Sequence, residues 1–212
     1  MHIPDGFISA PVATATGVIA VAAIAVAVKK TNKKMGEKQV PMMGVLAAFI
    51  FAAQMLNFPV VGGTSGHFVG AALAAILLGP WATVLILSSV LVVQSLVFQD
   101  GGLLALGANI TNMGVIAGFS SYYIYKGIDA LFKNSKAGTL VGAGVGAWFS
   151  VVLASLACAA ELSISGTSPW AIAITAMGGV HMLIGIGEGL ITVAVLSLIM
   201  ATRADLLKLQ VA

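Results

Sequence analysis

The sequence predicts an all-α protein that crosses a membrane about seven times, as a single domain over residues 1–212. Composition points there first: 59% of the residues are apolar and 8% are charged, against about 25% charged in soluble domains. Arrangement agrees. Apolar runs near the roughly 20 residues a helix needs to cross a bilayer alternate with short segments rich in lysine, glycine or proline. Charge is the third observation, because all ten Lys and Arg fall in connections that seven spans would place on one side.

The first span, about 9–28, is ended by Lys29, Lys30, Lys33 and Lys34. The second, 40–56, gives way to Pro59 and the run Gly62-Gly63-Thr64-Ser65-Gly66-His67. The third, 68–78, is too short for a full crossing and stops at the turn Gly79-Pro80. With the glycine-rich run before it, the chain is expected to dip into the membrane from the outside. Non-helical backbone is tolerated there only when buried in protein or lining a cavity, which is where helical membrane proteins build binding sites. The fourth span, 81–98, leads through Gln99-Asp100-Gly101-Gly102 to a fifth at 103–125. A linker with Lys126, Lys133 and Lys136 precedes the sixth, 137–162; the seventh, 170–200, ends in a short polar tail with Arg203 and Lys208.

The positive-inside rule orients such a bundle with the lysine-rich connections and the C-terminus cytoplasmic. The N-terminus, the His67 and Asp100 loops and the 163–169 loop then face outward. Lacking a basic n-region and a small-residue cleavage pattern, the start of the chain is not expected to be a removable targeting peptide. Cys158 is the single cysteine, which excludes a disulfide framework and a CxxC metal site. The pI near 9.1 reflects a cytoplasmic membrane face rather than nucleic-acid binding.

Met1 and His2 carry the most specific chemistry. A free α-amine, the His2 amide nitrogen and the His2 imidazole Nδ1 can close a five- and a six-membered chelate ring around one metal ion. His2 also favours retention of Met1, since initiator methionine is trimmed mainly before small residues. Residues 1–8 are therefore expected to fold into the bundle. His67, in an outward loop with glycines that permit close backbone approach, is the candidate fourth donor. Four planar nitrogens, one of them a deprotonated amide, suit Ni(II) or Cu(II), Co(II) less well, and Zn(II) poorly. The alternative is that His67 is an ordinary loop histidine and His2 a disordered terminal one.

His181 lies inside the seventh span, with Glu188 on the same helix face about 10 Å further along at 1.5 Å per residue. Ionisable groups in a span are functional candidates. These two read as a polar track under the metal or as a structural pair with amides of the fifth span, and His181 lies too deep for a primary ligand. Metal-bound histidines pass their other ring N–H to an acceptor, for which Ser65, Asp100, Asn109 and His181 are candidates, with Asp5 bracing the N-terminal segment. Interhelical hydrogen bonding is an equal reading for Asn109, Thr111, Asn112 and Gln94. No Walker A motif, catalytic triad, HExxH or complete GxGxxG is present, so the chain has no ATPase motif and little supports an enzyme. A self-sufficient channel or sensor is the other rival.

Met1–Phe7 (Met-His-Ile-Pro-Asp-Gly-Phe), Gly63–His67, Gly79-Pro80, Gly101–Asn109 and Ile184–Glu188 together resemble the CbiM/NikM family. Its members are substrate-binding (S) components of nickel and cobalt energy-coupling-factor (ECF) transporters. The resemblance covers nearly the whole chain. It implies seven helices in a prokaryotic plasma membrane and Met1, His2 and His67 as ligands of a transported Ni²⁺, with Co²⁺ for cobalamin synthesis as the alternative. It also implies as partners a transmembrane coupling protein, two cytoplasmic ATPases and in some systems a small accessory membrane subunit, which would here be a separate chain. Pro4-Asp5 resembles the nickel branch, where the cobalt branch tends to carry Met-Glu.

Overall fold

The structure, a computed structural model, describes residues 1–33, 36–37 and 39–208; Lys34 and Lys38 of the first basic run lie outside the described residues. Helix follows helix: α1 (Ala10–Asn32), α2 (Gln39–Gln54), α3 (Ala71–Leu78), α4 (Pro80–Val97), α5 (Leu106–Ile110), α6 (Ala117–Leu131), α7 (Lys136–Ile164) and α8 (Trp170–Thr202). A π-helical stretch, Thr111–Ile116, joins α5 to α6 as one rod. The rod therefore counts as one body, and among the described residues seven helical bodies, with a short 3-10 turn at Ala204–Lys208 after the last, stand where seven spans are expected. A two-residue antiparallel pairing, β1 (Phe58–Pro59) with β2 (Ser65–Gly66), is the small departure from all-helical structure.

By length and composition, α1, α4, α7 and α8 can each cross a membrane, while α2 is apolar but shorter at 16 residues. The α3 helix has only eight residues, and all eight are buried. It is enclosed by protein, as a segment too short to span must be.

Several boundaries shift: the third helix starts at Ala71 rather than residue 68, and the fifth body runs on to Leu131 rather than 125, so that Lys126 lies within it and not in the linker. Lys29 and Lys30 sit in the last turn of α1 rather than beyond it, where cations complement the helix dipole. The fifth body starts at Leu106, not residue 103, and just ahead of it the N–H groups of Leu103 and Leu104 donate to the Asp5 carboxylate at 3.1 and 2.8 Å.

The packing alternates chain direction. At one end the Lys30 ammonium lies 4.7 Å above the Trp81 ring and Thr139 donates to Asp129 at 2.9 Å. At the other, Ser9 N–H donates to Ser165 at 2.9 Å and Asn57 to Asp100 at 2.8 Å. The described basic residues thus collect at the end opposite Met1. The most extensive packing is α7 on α8 and on α6, whereas α1 and α2 lean on α4 from the outside.

A candidate metal centre at the buried amino terminus

The segment from Gly63 to Gly70 lies along the buried face of α8. Met177 touches it at Gly63 and accepts the Thr64 N–H on its sulfur at 3.5 Å. Further along, Ile184 packs beside Gly66, and the Glu188 carboxylate accepts the N–H groups of Val69 and Gly70 at 2.7 and 2.6 Å. Those two amides lie immediately ahead of α3, at Gly70 that precedes its first residue and at Val69 before it. Gly70 enters α3 at φ +75°, and a Cβ there would lie 2.6 Å from Ile50. Glu188 therefore anchors the His67 loop just ahead of α3. It does not pair with amides of the fifth body; Asn112 there donates to Glu161 of α7 at 2.7 Å instead.

The N-terminal residues close over this segment. Met1, His2 and Ile3 are buried although they belong to no helix or strand. The Met1 amine donates to the Ser65 carbonyl and, at 2.9 Å, to the Ser65 hydroxyl, which also accepts the His2 amide N–H at 3.1 Å. Asn109 grips Ile3 on both sides, accepting its N–H at 2.8 Å and donating to its carbonyl at 3.2 Å. The Gly102 N–H reaches the same carbonyl at 2.8 Å. A Cβ at Gly102 would sit 2.2 Å from the Asp5 carboxylate, so this approach requires glycine.

The His2 and His67 rings stack with centroids 4.3 Å apart and planes 19° from parallel. His67 Nδ1 lies 2.7 Å from the Phe68 carbonyl. A carbonyl only accepts, so Nδ1 carries the proton and Nε2 keeps its lone pair. That Nε2 is buried and has no hydrogen-bond partner. His2 Nε2 lies 3.0 Å from Gln94 Oε1 and its Nδ1 lies 3.2 Å from Asp100 Oδ1; a neutral ring, with one N–H, donates to one of these at a time.

Burial sets the charge of these groups. Desolvation pulls the Met1 amine from its ordinary value of 8.0 to about 5. Desolvation likewise lowers His67 well below the usual histidine range, helped by the neighbouring amine and His2, and it lowers His2 against the opposing pull of Asp100. Burial pushes the Asp100 carboxyl up, but its contacts with His2, the amine and Asn57 outweigh this and leave it low. Near neutral pH the cluster holds neutral nitrogens beside one carboxylate. Among the described residues, no group of three or more His, Cys, Asp or Glu side chains is placed to hold a metal ion. A site here would have to draw on main-chain nitrogen, as the Met1–His2 reading requires.

Sequence reasoning thus marked residues that the fold does bring together: Met1, His2, His67, Ser65 and Asp100 meet, and Asp5 braces the segment. Asn109 lies in the same cluster but holds the Ile3 backbone, not a histidine ring. His181 is buried in α8, its Nδ1 2.7 Å from the Met177 carbonyl. Gln94, which holds His2, was noted only as a polar residue in a span, and nothing in the sequence marks Asn57 as the partner of Asp100.

Known proteins align with this arrangement. The family described as cobalt uptake substrate-specific transmembrane region (CbiM) matches residues 2–206. NikMN of Archaeoglobus fulgidus is 42% identical over 214 residues, covering all of this chain and 70% of its own length. The cobalt transport protein CbiM of Sorangium cellulosum is 32% identical over 221 residues, covering all of this chain and 96% of its own. A crystal structure of a truncated transition metal transporter superposes with a TM-score of 0.89 at 37% identity, over 95% of this chain and 99% of that one. With the family match spanning almost every residue and the fold shared, the chain belongs to the CbiM family and is a multi-pass protein of the prokaryotic cell membrane.

Proposed function

We propose that this protein is the substrate-capturing membrane subunit of an ECF-type metal importer, taking up Ni²⁺ through four nitrogens: the Met1 amine, the His2 amide, His2 Nδ1 and His67 Nε2. The observation that carries the reading is the buried, uncharged amine of Met1 beside a His67 lone pair that nothing in the protein satisfies. An unpaired buried polar group is costly, and a metal ion is a partner that would satisfy it. Loading exchanges one contact for another: His2 Nδ1 leaves Asp100 for the ion, while Gln94 keeps Nε2 and so holds the ring. The His2 amide proton must leave, and the ion compensates that loss most strongly when it is Ni(II) or Cu(II).

The basic end of the bundle faces the cytoplasm in this reading, and the amino terminus faces outward. With no Walker A motif of its own, the chain relies on a coupling membrane protein, two ATPases and in some systems an accessory subunit for energised release. Relatives named for nickel transport and for cobalt transport both match the chain, so Co²⁺ is the second reading. Competition separates the two, since a planar four-nitrogen site keeps nickel against excess cobalt. The direct test is metal content and absorption of untagged protein: a yellow diamagnetic nickel complex is expected, and one residue added ahead of Met1 should abolish it. Undiminished nickel in the extended protein would overturn the ligand set.

A further inference from the structure

The peptide bond between Phe68 and Val69 is held at both ends. Its carbonyl accepts the His67 Nδ1–H at 2.7 Å, and its N–H donates to a Glu188 carboxylate oxygen, also at 2.7 Å. One planar amide thus joins the imidazole to the carboxylate. The two ends of an amide are conjugated, so an acceptor that draws on the N–H raises electron density on the carbonyl oxygen. Chains of hydrogen bonds strengthen one another in this way, above all in a low-dielectric interior. This chain runs through such an interior, with His67 and Glu188 1% and 3% exposed.

The other Glu188 oxygen accepts the Gly70 N–H at 2.6 Å. Both oxygens therefore act as acceptors, at the short separations of an ionised group. Among the described residues no basic side chain forms an ion pair with Glu188. A buried carboxylate without a counter-ion is a costly tether for a loop. A divalent ion on His67 Nε2, at the far end of the same chain of bonds, would supply the missing positive charge.

We propose that Glu188 is a positioning residue that tunes the His67 donor: acting through the Phe68–Val69 peptide, it strengthens the pull on Nδ1–H and so makes Nε2 a stronger donor to the transported ion. This rests on the four-nitrogen reading above. Carboxylates that accept directly from the back of a metal-bound histidine raise its basicity; here a peptide group is interposed and the direction of the effect is the same. A stronger in-plane donor raises the ligand field of a planar nickel complex. Gln54 provides the control. Its Nε2 donates to the Val69 carbonyl at 2.8 Å, one peptide further on, so it grips the same loop outside the path from His67 to Glu188.

Phe68-Val69 is the only Phe-Val pair in the sequence. Full-length protein with its native amino terminus, labelled with carbonyl-¹³C phenylalanine and ¹⁵N valine, therefore shows this one peptide in a carbonyl-selected NMR spectrum in detergent. Titration with Ni²⁺ should move the Phe68 carbonyl carbon and the Val69 amide proton downfield. In Glu188→Gln both should lie upfield of wild type, the visible nickel band should move to longer wavelength, and nickel affinity should fall about 10- to 100-fold, as when comparable histidine partners are removed. Gln54→Leu should lower the unfolding temperature and leave the nickel band in place. A wild-type peptide signal that nickel does not shift would overturn the proposal, and this measurement stands even where Glu188→Gln fails to fold. A nickel band at the wild-type wavelength in Glu188→Gln would also overturn it, as would equal displacement of the band in both variants, the mark of a moved loop. Failure of the four-nitrogen site has a separate signature: protein extended ahead of Met1 that keeps its nickel.

Discussion

Residues 1–3 and helix α1 are neighbours in sequence and opposites in environment. Met1, His2 and Ile3 have no regular structure yet are 0%, 3% and 0% exposed, whereas Val18 and Val21 of α1 are 64% and 68% exposed. The difference follows from where backbone hydrogen bonds go. In α1 each peptide group is satisfied within the helix, so apolar side chains can face lipid at no cost. An irregular segment has no internal partners and must find them elsewhere. Here Ser65, Asn109 and Gly102 provide them. The irregular segment is therefore the more dependent on the rest of the fold, and the helix the less.

The largest test of that contrast is pH. The Met1 amine is neutral in the fold down to about pH 5 but charged below 8.0 when freely solvated. Its folded value is depressed, so this contribution to stability is present above pH 8 and is lost as pH falls from 8 toward 5. Nickel binding in the folded protein should release chiefly the amide proton over this range. Affinity then falls about tenfold per pH unit between pH 8 and 6, and more steeply below 5 as the amine also takes up a proton. Nickel titrations across the range check this, and flat affinity would contradict it.

Asn109→Ala comes next. It strands the buried Ile3 N–H, at about 1–3 kcal/mol, and should lower both the unfolding temperature in detergent and nickel affinity. Glu188→Gln probes the opposite side of the loop. Gln keeps one acceptor oxygen but turns its NH2 toward the other N–H and loses the charge facing the Val69 and Gly70 amides, at about 1–3 kcal/mol, and thermal unfolding should report it. The smallest effect is expected in α1: Val21→Ala should change stability by no more than about 0.5 kcal/mol. A drop like that of Asn109→Ala would show that the exposed face of α1 is not a lipid-facing surface in the folded protein.

Much of the arrangement was legible beforehand. The lysine runs and Gly79-Pro80 punctuated the spans, and the shortness of the third span implied the enclosed α3. Met1-His2 and His67 could be singled out beforehand because the chelation proposed for them depends on residue types rather than on a particular fold. Partner choices were not legible. Glu188 invites pairing with a polar group at similar depth, such as Asn112, but Asn112 is taken by Glu161 while Glu188 holds the chain just ahead of α3. Asn109 resembles an interhelical amide until the fold shows it holding a main chain. The π-helical stretch Thr111–Ile116 has no local signature at all.

Apolarity, span length and the one-sided lysines were properties of the sequence by itself, since transfer into a bilayer depends on residue type summed along a window. The same is true of the amino-terminal chelate proposed above, whose ring sizes would be set by covalent geometry. The tertiary structure alone decided which buried polar groups meet. Helices that are apolar all round carry no stripe to reveal their inward face, so the contacts of Asn109, Gln94 and Glu188 emerged only when the helices packed.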